Sequence, residues 1–166
     1  MKPINSRELC LTALFTAIIF LMTFIPKIPI PLGYAHLGDA AIFLAVLLLN
    51  KKQAALAAAI GSGLADFMGG FPLWIVPTLL IKYLMAWIFG SIYTSASSEK
   101  SINYSRMVLG LVVATLWMAG AYTIVGGILY DSLAAGFAST PGLLLKGALN
   151  LIIVVVIAKP LLKLKN

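Results

Sequence analysis

Long apolar runs, broken only by short polar or proline- and glycine-rich segments, constrain the fold of this chain more than any other feature. Of its 166 residues, 61% are hydrophobic and only 10% are charged, whereas soluble domains are about half apolar and about a quarter charged. A soluble domain of this size cannot bury so much apolar side chain and keep a polar surface. We therefore predict an all-α integral membrane protein, with residues 1–166 forming a single six-helix membrane domain.

Six apolar runs are candidates for membrane-spanning helices, each of which needs about 20 residues. They extend from Leu9 to Ile25, Leu37 to Leu49, Ala54 to Met68, Leu73 to Tyr93, Met107 to Leu129 and Pro141 to Leu162. The second run is short for a full crossing, so we expect it to be tilted or to start inside a protein-lined cavity. Pro26, Pro29 and Pro31 exclude a helix after the first run and predict an ordered, extended loop.

The distribution of positive charge predicts the orientation in the membrane. Six spans place both termini on one side, and most lysines and arginines fall on that side: Lys2, Arg7, Lys51, Lys52, Lys100, Arg106, Lys159, Lys163 and Lys165. The opposite side holds only Lys27. By the positive-inside rule both termini are cytoplasmic. The outward-facing loops are then the proline-rich loop, the Gly-Gly-Phe-Pro segment 69–72 and residues 130–140.

Polar groups within the spans concentrate in the outer half of the predicted bundle. Ionisable groups in lipid are expensive and usually functional. Lys146 lies about one and a half turns below the outer end of the sixth span, and Asn150 lies one turn further on the same face. Because the inner half has almost no such groups, we predict an outward-opening pocket rather than a through-pore. The candidate ligand-binding residues are His36, Asp39, Asp66, Trp74, Thr78, Lys82, Tyr122, Lys146 and Asn150.

The charged candidates also have structural interpretations. Asp66 and Lys82 could pair with each other to neutralise two buried charges. Asp39 could cap the start of the second span or bind backbone amides of the nearby loop. Lys146 could extend to the outer headgroups, although the polar neighbour Asn150 favours a polar interior face.

His36 and Trp74 lie near the predicted outer interface, which provides a simpler explanation for both. His36 could be an interfacial residue without a ligand. Trp74 could belong to the aromatic belt that membrane proteins place at the headgroup level, or it could stack on a flat ligand.

Small residues at helical spacing predict two close helix contacts. Ala13 and Ala17 on the first span form a small-xxx-small pair, which allows another helix to approach closely in lipid. A similar row on the third span, Ala57, Gly61 and Ala65, is expected to pack inside the bundle.

The sequence lacks the residues that several functional classes require. One histidine and one cysteine, Cys10, provide no nucleophile–base set and no metal-ligand spacing, and no phosphate-binding loop is present. The basic residues form no cluster interleaved with aromatics, as nucleic-acid binding would need. We expect no enzyme activity, no cofactor, no metal site and no nucleic-acid partner.

Four segments resemble a known transporter family. They are Ala13-Leu14-Phe15-Thr16-Ala17, His36-Leu37-Gly38-Asp39-Ala40, Gly61-Ser62-Gly63-Leu64-Ala65-Asp66 and Pro77-Thr78-Leu79-Leu80-Ile81-Lys82. With their order, the six spans and the small size, the chain resembles, over nearly its whole length, the substrate-binding S component of an energy-coupling factor (ECF) vitamin transporter.

The resemblance implies a concrete function in the prokaryotic plasma membrane. An S component of this kind holds one vitamin in an outward pocket, and the loops after spans one, three and five cover it. Ala13 and Ala17 would pack against a transmembrane coupling subunit that two cytoplasmic ATPases drive. The segment His36 to Asp39 is most similar to the riboflavin-type branch and the related pyridoxine or hydroxymethylpyrimidine components. We predict one of the latter pair as substrate, with riboflavin or another vitamin next.

Two other functional classes, a proton-coupled transporter or channel and a structural membrane subunit, could also account for the buried polar residues. In a proton-coupled small secondary transporter or channel, Asp39 and Asp66 would carry the proton. The sequence shows no inverted repeat and no polar path through the inner half, which such a protein would need. In a structural membrane subunit, the polar residues would only stabilise the bundle, and no ligand would bind.

Overall fold

A computed structural model describes residues 5–30, 33–94 and 104–163, and within them it shows six α-helices and one short β-hairpin. Lys2, Pro31, Lys100 and Lys165, which the predictions above used, lie outside these residues. The elements are α1 (Ser6–Phe24), β1 (Ile28–Ile30), β2 (Gly33–Ala35), α2 (Gly38–Leu48), α3 (Lys51–Met68), α4 (Ile75–Thr94), α5 (Tyr104–Leu129) and α6 (Leu133–Lys163), with a 3₁₀ turn (Pro72–Trp74) before α4.

The predicted all-α membrane class is confirmed. Four helical segments in the described residues are long and apolar enough to cross a membrane: Ser6–Phe24, Pro72–Tyr93, Tyr104–Leu129 and Leu133–Ala158. The α2 helix is a shorter apolar helix.

Three helices begin about one turn earlier than the apolar runs predicted. The first residues of α1, α3 and α5 are Ser6, Lys51 and Tyr104. Polar caps explain two of these early starts. The Asn5 side chain accepts from the Arg7 amide, and the Asn50 side chain accepts from the Gln53 amide. A capped polar first turn belongs to the helix but not to its apolar pattern.

The proline-rich segment is extended, as predicted, but its pairing into a hairpin was not foreseen. Strands β1 and β2 are antiparallel, with Ile28 opposite Ala35 and Ile30 opposite Gly33. The chain then returns to the end of α1, where the Leu37 amide donates to the Met22 carbonyl at 3.1 Å. This hydrogen bond fixes where α2 begins.

The prediction of an outward loop over residues 130–140 is wrong, because α6 begins at Leu133. The α5–α6 connection is only residues 130–132, and the Ser132 hydroxyl accepts from the Ala135 amide at the start of α6. The extension also puts Lys146 more than three turns from the start of α6, deeper than predicted.

A glycine contact explains why residues 133–140 are helical. A Cβ atom on Gly136 would collide with the Thr123 carbonyl and would lie 2.8 Å from the Gly127 amide of α5. The missing side chain therefore lets the α5 and α6 backbones touch, and this packing stabilises the first turns of α6. Pro141 is accommodated inside the helix.

The short α2 helix starts inside the bundle. With 11 and 18 residues, α2 and α3 are about 16 and 27 Å long, and both meet at the turn of residues 49–50. One end of the bundle carries the hairpin and the connections 69–71 and 130–132, and we call it the hairpin end. The start of α2 thus lies about 10 Å below the hairpin end. Nine of its 11 residues are buried, which confirms the predicted start inside protein.

Candidate ligand-binding site

A buried charge cluster lies at the first turn of α2 and joins three helices. The Asp39 carboxylate of α2 contacts the Lys82 ammonium of α4 through Oδ1, and its Oδ2 lies 3.2 Å from Nζ of Lys146 on α6. These side chains are only 1–4% exposed. We call Asp39, Lys82, Lys146 and the adjacent His36 the charge cluster.

This geometry decides between the alternatives left open by the sequence. The partner of Lys82 is Asp39 and not Asp66. The Asp39 side chain does not cap α2, whose N-cap is Leu37 without a side-chain hydrogen bond. Lys146 is buried and does not extend to the headgroup level. All three corrections arise because the partners come from different helices, whose relative positions only packing sets.

Asp66 lies outside the charge cluster and is nearer to the hairpin end than the cluster is. Its carboxylate is half-buried and lies close to the Thr78 side chain. The Thr78 hydroxyl in turn lies 3.0 Å from the hydroxyl of Tyr122. Asp66 is therefore linked to the charge cluster through Thr78 and Tyr122, and no direct ion pair joins it to a described lysine.

His36 lies in the segment between β2 and α2, within reach of Lys146. Its Nδ1 accepts from the Gly38 amide at 3.1 Å, and its Nε2 is 3.4 Å from Nζ of Lys146. Burial, and next the positive charge of Lys146, hold the pKa of the imidazole well below its ordinary value. The ring is therefore neutral, and since Nδ1 accepts, the proton is assigned to Nε2.

Asn150 holds the cluster together through backbone groups. Its Oδ1 accepts from the Ala40 amide at 2.8 Å, and its Nδ2 donates to the carbonyls of His36 at 2.9 Å and Lys146 at 2.8 Å. The predicted common face of Lys146 and Asn150 is confirmed. The amide, however, contacts the chain itself, so the geometry makes Asn150 a positioning residue for α2 and His36.

Aromatic side chains cover the cluster on the side of the hairpin end. The Tyr122 ring centroid lies 5.4 Å from Nζ of Lys82 and 5.8 Å from Nζ of Lys146. The Trp74 ring lies 5.5 Å from the Tyr122 ring and donates its Nε1–H to the Tyr130 hydroxyl at 3.1 Å. Trp74 therefore has partners within the bundle and is more than an isolated belt residue.

Tyr130 is the residue of this site that sequence reasoning missed. It follows directly after the predicted fifth span, where a tyrosine is expected at the membrane interface for reasons unrelated to ligands. Its hydrogen bond and ring contact with Trp74 distinguish it from an isolated interfacial tyrosine.

A concave region between α4 and α5 has none of this chemistry. It is a groove of about 540 Å³ between α4 and α5, lined by Pro77, Leu80, Ile81, Leu84, Leu116, Trp117, Gly120, Ala121, Ile124 and Val125. Ligand sites combine apolar walls with a few polar groups that fix orientation. This groove has almost no polar surface, so the charge cluster is the better candidate.

The predicted partner-facing residues lie on the outside of the molecule. Ala13 and Ala17 are both exposed, while Ile19 and Thr23 on the other side of α1 are buried. The buried side packs closely on α3, where a Cβ atom on Gly61 would lie 2.7 Å from the carbonyl of Thr16. Ala57, Gly61 and Ala65 are buried, as predicted for the second small-residue row.

Comparison with known proteins identifies the family. The model of the family described as "ECF-type riboflavin transporter, S component" matches residues 3–165. The chain belongs to this family. It is therefore a membrane protein of vitamin uptake that associates with other ECF transporter components, and it is not an enzyme.

Curated relatives of this S component carry different substrate names. A protein from Rhizobium etli named biotin transporter BioY is 32% identical, with 75% of this chain and 68% of the relative covered. A protein from Lactococcus lactis subsp. cremoris named thiamine precursor transporter HmpT is 30% identical, with 76% and 70% covered. An uncharacterised protein from Pyrococcus woesei is 36% identical over 65% of this chain and 70% of its own length.

A solved structure confirms the fold. The S component of a bacterial ECF transporter superposes with a TM-score of 0.72 over 96% of this chain and 98% of the other. Only 20% of the aligned residues are identical, so this likeness concerns the fold.

Proposed function

We propose that this S component binds a small vitamin in the hairpin-end half of the bundle and presents it for import. In this arrangement the six helices of residues 1–166 form one domain in the membrane, both termini are cytoplasmic, and the hairpin end faces outward. The positive-inside distribution of lysine and arginine supports this orientation.

The charge cluster is the observation that carries the proposal. Two lysines, one aspartate and one histidine are buried together between apolar helices, although desolvating charges is costly and well-packed apolar residues would often be at least as stable. Intramembrane ionisable groups of this kind typically mark a substrate pathway or site. The aromatic rings of Tyr122 and Trp74 beside the cluster suit a flat ring as ligand.

For the substrate we propose pyridoxine or hydroxymethylpyrimidine, with riboflavin and biotin as the next candidates. The first two are small aromatic rings whose nitrogens and hydroxyls can bond to Lys82, Lys146 and His36, while Tyr122 or Trp74 covers a ring face. The names of the relatives, which mention biotin and a thiamine precursor, support a test set of several vitamins.

For the partners we propose a transmembrane coupling subunit and two cytoplasmic ATPases. The exposed position of Ala13 and Ala17 on α1 supports close approach of a partner helix. A proton-coupled mechanism is disfavoured, because Asp39, one of the two carboxylates that would carry the proton, is already engaged by Lys82 and Lys146.

Three measurements test this function. Mass spectrometry of the gently purified chain should find a retained vitamin, and calorimetry with pyridoxine, hydroxymethylpyrimidine, riboflavin and biotin should show tight binding of at least one. Vesicles with the chain alone should bind this vitamin but not accumulate it. Accumulation driven by a proton gradient without any ATPase would contradict the proposal.

A further inference from the structure

Two of the ion-paired residues in the charge cluster have a buried glycine as their direct neighbour. Gly38 precedes Asp39 on α2, and Gly147 follows Lys146 on α6. Each glycine packs against a threonine of a helix that contributes no residue to the cluster, and these helices are α1 and α5. The placement of Asp39 and Lys146 therefore depends on two helices that lie outside the cluster.

The contact beside Lys146 requires the missing side chain of Gly147. A Cβ atom on Gly147 would collide with Cγ2 of Thr115 on α5, whereas it would lie at an ordinary 3.5 Å from Cε of Met118. Glycine within a helix is less favourable than alanine, and this close approach explains why one is present. The Thr115 methyl group thus lies on the α6 backbone beside Lys146 and fixes how closely α5 and α6 approach there.

The contact beside Asp39 has the same form. A Cβ atom on Gly38 would collide with Oγ1 of Thr23 on α1, and it would lie 2.9 Å from Nδ1 of His36. The amide of the preceding residue, Leu37, donates to the backbone of α1 at 3.1 Å. The last turn of α1 therefore holds the two residues that come directly before Asp39.

The two threonines differ from the other threonines of α1 in the use of their hydroxyls. Thr12 and Thr16 donate to the carbonyls four residues earlier, at 2.7 and 2.8 Å, which is a common arrangement within helices. The hydroxyl oxygens of Thr23 and Thr115 are buried and have no hydrogen-bond partner among the described residues. Packing against the glycines, and not hydrogen bonding, therefore accounts for where these two side chains lie.

We propose that Thr23 and Thr115 are positioning residues of the ligand site. They pack on the backbone next to Asp39 and Lys146, so they set the helix spacing across which Oδ2 and Nζ of this pair meet at 3.2 Å. A binding site needs such supporting contacts to hold its polar groups in place. The inference rests on the proposed function, because it takes the charge cluster as the ligand site.

The test moves one methyl group across the contact between α5 and α6. Gly147→Ala adds a methyl group where Thr115 already lies, so α6 has to shift. Adding Thr115→Ala removes the colliding group and restores the spacing. The double variant loses a hydroxyl that has no described partner, so it gives up no hydrogen bond.

Two readouts report the state of the cluster and not only the stability of the fold. The first is calorimetry with pyridoxine, hydroxymethylpyrimidine, riboflavin and biotin on the intact chain in detergent. The second needs no ligand and is the carboxyl NMR resonance of Asp39 in a chain isotope-labelled at its aspartates. The other two aspartates of the chain are Asp66 and Asp131, and their asparagine variants assign the remaining signals.

We expect Gly147→Ala to shift the Asp39 resonance and to weaken binding of the preferred vitamin among these four about 10-fold. Thr115→Ala in the same chain should return both readouts to the wild-type values. The matched control is Gly110→Ala, whose Cβ atom would lie 2.9 Å from the Phe89 ring in the contact between α4 and α5. This control should lower the unfolding temperature without changing either readout.

The contact at α1 gives a second, independent comparison. Gly38→Ala should shift the Asp39 resonance as well. Thr23→Ala should rescue it only in part, because Nδ1 of His36 would still lie 2.9 Å from the added methyl group.

Several results would overturn the inference. It fails if folded Gly147→Ala keeps the wild-type resonance or affinity, or if Gly110→Ala changes both readouts as much. If Gly147→Ala does not fold, the double variant decides: it should fold with wild-type readouts, and an unfolded or altered double variant contradicts the inference. Failure of the wild-type chain to bind any of the four vitamins contradicts the proposed function, whereas the Asp39 resonance still tests the positioning.

Discussion

We propose that the charge cluster and the exposed side of α1 recognise different partners, and the two regions have opposite chemistry. The cluster takes one charged residue from each of α2, α4 and α6 and buries them almost completely. The α1 face shows Ala13 and Ala17 to the exterior, carries no charge around them and belongs to a single helix. Buried charges select a small polar molecule by pairing, whereas small exposed residues allow a partner helix to approach. Changes in the two regions should therefore affect different measurements.

The largest effect should come from removing the carboxylate that both lysines share. Asp39→Asn leaves two buried ammoniums without a counter-charge, and breaking a buried ion pair from one side costs about 3–5 kcal/mol. We expect little folded protein in detergent, as measured by thermal unfolding, and no ligand binding. The matched control is Asp66→Asn, which removes a half-buried carboxylate and should lower stability far less.

A charge-balanced variant shows whether unpaired lysines cause this loss. Adding Lys82→Met and Lys146→Met to Asp39→Asn removes all three charges, so folding should return while ligand binding stays absent. If the triple variant is as unstable as Asp39→Asn, packing rather than charge balance explains the loss.

The next largest effect concerns transport and not binding. Ala17→Trp puts a bulky side chain where a partner helix would approach, so uptake by the complete transporter and co-purification with the coupling subunit should be nearly lost. Ligand affinity of the isolated chain should hardly change. Val156→Trp, at an exposed position on α6, serves as the control and should leave uptake intact. A large loss of ligand affinity in Ala17→Trp would contradict the proposal that the two regions have separate functions.

An intermediate effect is expected at Asn150, because it positions the cluster. Asn150→Ala leaves the Ala40 amide and the carbonyls of His36 and Lys146 without this partner, and an unpaired buried group costs about 1–3 kcal/mol. Affinity should fall about 5- to 150-fold, and the unfolding temperature should fall with it. Loss of affinity at unchanged thermal stability would mean that Asn150 contacts the ligand directly.

A smaller effect should separate the Tyr122 ring from its hydroxyl. Tyr122→Leu removes the aromatic face near both lysines, and we expect affinity to fall about 2- to 30-fold. Tyr122→Phe keeps the face and loses the hydroxyl with its hydrogen bond to Thr78, so it should bind more tightly than the leucine variant. Equal affinities of the two variants would show that the ring face has no role.

The smallest effect should come from the hairpin. Replacing residues 28–30 with Gly-Ser-Gly removes Pro29 and the preorganised strand, so more conformational entropy is lost when the segment orders over a ligand. Stopped-flow measurements should show the dissociation rate rising more than the association rate falls. Unchanged rates would make the hairpin a simple connection.

The sequence by itself determined the features that depend on neighbours along one chain segment. Apolar runs predicted all six helices, although capped polar turns moved the starts of α1 and α3. Prolines predicted the extended segment after α1, and helical spacing put Lys146 and Asn150 on one face and Ala13 with Ala17 on another. Each of these follows from local backbone geometry, which repeats with a fixed period.

Only the tertiary structure decided which side chains meet across helices. It paired Lys82 with Asp39 instead of Asp66, directed the Asn150 amide to backbone groups, joined β1 to β2 and extended α6 to Leu133. The register between two helices depends on where their surfaces approach, as at Gly136 against α5, and a sequence pattern with a local period does not specify this distance. The charge cluster is therefore visible only once α2, α4 and α6 are packed together.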